Sequence, residues 1–237
     1  TNEFPETPLT RIDRDSTRRK GSLEKALDEI NLGGARILVG TQMLAKGHHF
    51  ANVTLAAILD ADASLFSSDF RGAEKLAQLL VQTAGRAGRD RIPGTAVIQT
   101  YQADHPTINI LVNEDYNAFA KQELMRRQQS GLPPSGHMAL FHAQAKDANQ
   151  AFALLAWLAQ QIRDPKLASM TRSLLVFGPM PAFMARRAHY YRAQLQLQHP
   201  NRMILQQLVQ HLCTQLDLHP KARKIRWSLD IDPQELG

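Results

Sequence analysis

Along residues 1–129, short continuous apolar runs alternate with amphipathic stretches. The runs LTRID (9–13), RILVG (36–40), VTLAAILD (53–60) and TAVIQTY (95–101) predict strands, the last three being buried-strand signals. Residues 22–31 place Leu23, Ala26, Leu27 and Ile30 on one helical face, and residues 71–84 do the same with Leu76, Leu79 and Leu80. Continuous apolar strands separated by helices predict a mostly parallel α/β sheet. A helical tail over 106–129 follows and stops near SGLPPSG (130–136), where glycine and two prolines cannot continue a helix.

Beyond that break the pattern changes. HMALFHAQA (137–145) predicts a strand, 149–163 a helix, and LLVFGP (174–179) and YYRAQLQLQ (190–198) two strands. A helix over 202–216 and a strand over 224–232 complete a β-α-β-β-α-β order, which is the ferredoxin-like split βαβ pattern. Two domains are therefore expected, 1–133 and 134–237, which suits a chain of 237 residues.

Composition narrows the setting. No apolar run is long enough for a membrane span and no signal segment opens the chain. The opening TNEFPETP predicts a piece of a longer polypeptide. A single cysteine, Cys213, can form neither an internal disulfide nor a structural zinc site, which predicts a reducing, cytoplasmic setting. The formal charge of +6 is unevenly placed. Residues 1–162 carry 17 Lys and Arg against 17 Asp and Glu, whereas 163–237 carry 11 against 5. A basic last third points to a polyanionic partner or to a solvated positive face.

In an open parallel sheet, ligands sit beyond the carboxyl ends of the strands. GTQMLAKGHHF (40–50) and LDADASLFSSDF (59–70) begin at two such ends, and QTAGRAGRD (82–90) follows the next helix. Arg86 and Arg89 carry planar, permanently charged forks that match phosphate oxygens. Gly85 and Gly88 permit a tight backbone approach, and Gln82 stands one helical turn before Arg86. The same corner also permits both arginines to pair with acids such as Asp90. His48 and His49 lack the further Cys/His cluster that a metal site needs, so no metal ligands are expected.

ILVGTQMLAKGHHFANV followed by QTAGRAGR resembles motifs V and VI of superfamily 2 helicases, in their second RecA-like lobe. The fuller string, with RIDRDSTRRKGSLEKALDEI, LDADASLFSSDFR, RRAHYYRAQLQLQ and KIRWSLDID, is similar to the PriA-type primosomal replication-restart helicases over essentially the whole chain. Ala51 departs from the proline common at that place. The resemblance implies an arginine finger at Arg89 on the ATP γ-phosphate, with Arg86 beside it and Gln82 as sensor. It implies that Gly40, Thr41 and Gln42 couple the nucleotide cleft to DNA, and that Lys46 and Gly47 contact a strand. Asp60 and Asp62 would be catalytic carboxylates or would hold the arginine corner, the second being favoured because the Mg²⁺ carboxylates of such motors belong to the first lobe.

For the C-terminal part, the resemblance implies an S10-like module that binds forked and single-stranded DNA and the single-stranded-DNA-binding protein, alongside other primosome proteins. Arg186, Arg187, Arg192, Lys224 and Arg226 are candidate DNA contacts, with Arg202, Lys221 and Arg223 adding charge. Tyr190, Tyr191 and Trp227 either stack on bases or pack in the core. No phosphate loop, Mg²⁺-holding acidic tetrad or zinc-binding cysteine cluster occurs in the sequence. ATP and Mg²⁺ would thus be completed by a first lobe elsewhere, and the chain, expected to be monomeric, would not hydrolyse ATP alone. Two other readings are a binding and loading module without turnover, and lobe 2 of another superfamily 2 motor. A metabolic α/β enzyme would need a complete catalytic constellation, which the residues do not provide.

Overall fold

The computed structural model describes residues 4–13, 16, 21–41, 44, 53–85, 87, 94–234 and 236. It divides into two compact units, Thr1–Ser67 with Gly72–Phe119, and Ser68–Arg71 with Ala120–Gly237.

In the first unit, β1 (Leu9–Ile12) pairs in parallel with β2 (Ile37–Gly40), the two being connected through α1 (Ser22–Asn31). β3 (Leu55–Ile58) pairs in parallel with β4 (Thr95–Ile98), connected through α2 (Ala61–Leu65) and α3 (Gly72–Ala84). The expected parallel pairing is present, but among the described residues it forms two two-stranded sheets rather than one continuous sheet. α3 presents Leu76 and Leu80 to a core with Ile58, Ala61 and Ile108, as its spacing predicts. Its Ala73 and Ala77 pack against Phe119.

Two boundaries of the first unit differ from the pattern for local reasons, and in the second unit the strand expected over 174–179 runs on to Arg187. The run 53–60 stops as a strand at Ile58 because Asp60 turns left-handed (φ 53°) and its carboxylate accepts from Ala63 N–H, capping the unforeseen α2. The helical tail is two helices, α4 (Pro106–Asn113) and α5 (Tyr116–Gln129). They separate at Glu114, whose backbone is non-helical, and Asp115 restarts the chain by accepting from Ala118 N–H at 2.7 Å. The division between the two units falls inside α5, after Phe119.

The second unit follows the predicted order with additions. β5 (His137–Ala145), α6 (Ala148–Gln161), a 3₁₀ turn (Pro165–Leu167) and α7 (Ala168–Thr171) lead to β6 (Leu175–Arg187) and β7 (Tyr190–His199). Then α8 (Arg202–Leu218), a second 3₁₀ turn (Ala222–Lys224) and β8 (Arg226–Ile231) close the unit. The antiparallel sheet has the order β6-β7-β5-β8. Alternation along β5 and β7 sends Ala139, Phe141, Ala143, Leu195 and Leu197 into a core with Leu154, Leu155 and Leu158 of α6 and Leu205, Leu208 and Leu212 of α8. Each fully buried large apolar side chain contributes roughly 1.5–3 kcal/mol. Cys213 packs half-buried against this core, and burial pushes its thiol above the ordinary range.

Gly40 has a steric requirement of its own. A Cβ there would stand 2.1 Å from the Ile12 carbonyl oxygen and 2.7 Å from Leu44 Cδ1. Gly40→Ala is therefore expected to cost about 2 kcal/mol by overpacking and to speed amide exchange in β1 and β2. Unchanged exchange at Val39 and Ile12 would contradict that reading.

Candidate nucleotide and nucleic-acid sites

The first unit gathers its candidates at strand and helix ends. Gly40 ends β2 opposite Ile12, and the next carbonyl, of Thr41, accepts from Leu44 N–H at 3.0 Å. Asp62 lies just beyond β3. Its carboxylate accepts from the Thr100 hydroxyl at 2.8 Å and from Tyr101 N–H at 2.9 Å. β4 ends at Ile98, so Asp62 ties the residues just beyond β4 to those just beyond β3. Asp60 caps α2, and its N–H reaches Gln99 Oε1 at 3.3 Å. In this structure both carboxylates are engaged in holding the backbone. Gln82 is half-buried in the last turn of α3, and Gly85 follows with its N–H bonded to Val81 O. Gln42, Lys46, Gly47, Arg86, Gly88 and Arg89 lie outside the described residues, as do His48 and His49.

The second unit brings two of its candidate cations into one groove. Arg192 and Arg226, from β7 and β8, both stand opposite Gln144 of β5, and the three share a face of the sheet. With His142, Ser228 and Asp230 they line a groove of about 770 Å³. Tyr190 lies on the same face by alternation, with the Arg226 guanidinium 4.7 Å from its ring centroid. On β6, Arg187 pairs with Tyr190 and Arg186 with Tyr191. The Arg186 guanidinium sits 5.2 Å from the Tyr191 centroid. Each tyrosine thus has one ring face engaged by an arginine. Lys224 belongs to the 3₁₀ turn before β8, and Trp227 packs against the core.

Pattern reading missed His142, Gln144 and Asp230. They occupy alternate positions of β5 and β8, so the alternation of strand side chains places them together on one face of the sheet. His142 Nε2 stands 3.3 Å from Asp230 Oδ2. Burial nevertheless holds the imidazole below its ordinary value of 6.5, the Asp230 charge opposing and the Arg192 charge reinforcing the shift. A neutral ring that donates from Nε2 to Asp230 keeps the groove's charge on its arginines. Among the described residues no cluster of His, Cys, Asp and Glu is able to hold a metal ion, and no helix is long and apolar enough to cross a membrane.

Gly40 ends the parallel β1–β2 pair, and α3 precedes Arg86 and Arg89 in the sequence. Residues 8–91 match the helicase conserved C-terminal domain, and residues 128–234 match the primosomal protein N C-terminal domain. Among curated proteins the chain is 47% identical to a replication restart protein PriA of Haemophilus influenzae, over 99% of its own length and 31% of the relative's. The PriA of Bacillus subtilis is 35% identical over 98% of the chain and 28% of that protein, and that of Synechocystis 37% identical over 85% and 24%. The chain belongs to the PriA family of replication restart proteins and spans less than a third of the length of these relatives.

Proposed function

We propose that the chain is the C-terminal part of an ATP-dependent 3′→5′ DNA helicase that recognises stalled or branched replication forks and starts primosome assembly. The observation that carries this reading is the 47% identity to a replication restart protein over 99% of the chain. On this reading residues 1–133 are the second RecA-like lobe with its helical tail, and 134–237 are a ferredoxin-like, S10-like module for DNA and partner proteins. A first lobe supplies the phosphate loop and the Mg²⁺ carboxylates. Arg89 and Arg86 then reach the γ-phosphate from the second lobe, Gln82 senses it, and Gly40, Thr41 and Gln42 pass its state to Lys46 and Gly47 on the strand. Gly85 and Gly88 shape the corner, and Asp62 braces the rim through Thr100 and Tyr101. The chain alone turns over no nucleotide. It works in the bacterial cytoplasm as a monomer, meeting single-stranded-DNA-binding protein and other primosome proteins.

The C-terminal module carries the DNA contact through Arg192 and Arg226 in the groove, with Arg186, Arg187 and Lys224 outside its lining. Binding of the 237-residue chain to forked DNA should weaken steeply with salt, because each neutralised phosphate releases counterions. Arg226→Ala should flatten the slope of log affinity against log salt by about 0.9 if it removes one duplex phosphate contact, or about 0.7 on a single strand. Fluorescence anisotropy across a salt series measures both slopes. Absence of binding even at low ionic strength would overturn the DNA assignment of this module.

A further inference from the structure

β6 is the edge strand of the second unit's sheet, and its pairing with β7 is interrupted. Pro181 pairs with Ala193 and Arg186 with Tyr191, so residues 182–185 of β6 stand opposite the single residue Arg192. Bulges of this kind re-aim side chains away from the pleat. Ala182 anchors the bulge at 3% exposure, whereas Phe183 is 76% exposed and Met184 48%. A large aromatic ring is thereby held out in water by paired backbone on either side.

The charge around it has one sign. Residues 165–216 contain no Asp or Glu, yet hold Lys166, Arg172, Arg186, Arg187, Arg192 and Arg202. Three of these cations, Arg186, Arg187 and Arg192, lie within ten positions of Phe183, and Arg186 is steadied against the Tyr191 ring. An apolar ring set among cations, with no carboxylate nearby in the sequence, suits a phosphodiester strand. Phosphates neutralise the arginines and the open face of a base covers the ring. Paired bases inside a duplex have both faces stacked, whereas the first unpaired base beside a duplex keeps one face open.

We propose that Phe183, backed by Met184, stacks on the first unpaired base where single strand meets duplex, while Arg186 and Arg187 hold the adjoining phosphates. This rests on the DNA-binding reading above and adds to it a contact specific for the junction. In the bound state the ring would mark the fork point, and the arginines would supply affinity without regard to sequence.

The test uses the 237-residue chain with a fork carrying 2-aminopurine at the first unpaired position, and a blunt duplex of equal length. The parent should change the 2-aminopurine fluorescence on binding. Phe183→Ala should abolish that change and weaken fork binding by about tenfold, with duplex affinity and salt slope unaltered. Phe183→Trp should restore the signal. Because Phe183 is exposed, its variants should keep the parent's thermal midpoint. Arg187→Ala should weaken fork and duplex alike. If Phe183→Ala binds the fork with parental affinity and signal, the junction contact is overturned, although a loss in Arg187→Ala would still uphold DNA binding. If neither variant changes anything, both readings of this hairpin fall.

Discussion

Arg89→Ala, made in a protein that also contains the first lobe, should lower DNA-stimulated ATP hydrolysis by about 10³-fold or more while leaving forked-DNA affinity unchanged. The magnitude is that of an arginine finger, which acts on charge developing in the phosphoryl transition state and adds little to ground-state binding. The local structure leads to this position. α3 is held by Leu76 and Leu80 in its core, Gln82 lies in its last turn, and Gly85 N–H closes on Val81 O. The helix that precedes Arg89 in the sequence is therefore fixed by its core contacts as far as Gly85. Lysine carries charge without the planar fork, so Arg89→Lys should recover only a small part of the rate. Steady-state ATPase with saturating fork, beside anisotropy on the same fork, separates the two effects. Parental turnover in Arg89→Ala would remove the residue from that role, and equal loss of binding and turnover would make it a DNA contact instead.

How much could be read from sequence depended on whether the information was periodic. YYRAQLQLQ alternates from Arg192 onward and HMALFHAQA carries a continuous apolar run over 138–141, and β5 and β7 appear at these stretches, β7 running one residue further to His199. Asp60 and Asp62 were visible as carboxylates at a strand end, but their partners Gln99, Thr100 and Tyr101 come from the segment just after a strand about forty residues later. Only pairing of β3 with β4 brings these groups together, and no local pattern encodes that register. The groove shows both situations at once. Arg192 and Arg226 were legible as cations, whereas their meeting across Gln144 follows from the β7-β5-β8 order. Phe183 was hidden for another reason. LLVFGP and YYRAQLQLQ mark the ends of a hairpin whose intervening bulge has no period, so an exposed ring there has the same local signature as a buried one.

Arg127→Met should destabilise the second unit by about 3 kcal/mol, the lower part of the range for breaking a buried ion pair. Glu123 and Arg127 are only 7% and 6% exposed, one helical turn apart on α5. Arg127 Nε donates to Glu123 Oε1 at 2.9 Å, and its guanidinium lies 5.0 Å from the Phe70 ring centroid. Removing the arginine leaves a buried carboxylate whose other oxygen still meets Arg126 at 2.9 Å, but Arg126 is 57% exposed and compensates poorly. That surviving contact is why the low end of the range applies. Phe70 also loses one of its two stacked cations, the other being Arg71 at 5.4 Å. Both tryptophans of the chain, Trp157 and Trp227, lie in this unit, so urea unfolding followed by tryptophan fluorescence reports on it selectively. The paired change Glu123→Leu with Arg127→Met should recover most of the loss, because no uncompensated charge then remains buried. A loss below about 1 kcal/mol in Arg127→Met would place the pair's value in the surface class. A double variant no more stable than the single would show instead that the arginine acts through its packing on Phe70 rather than through its charge.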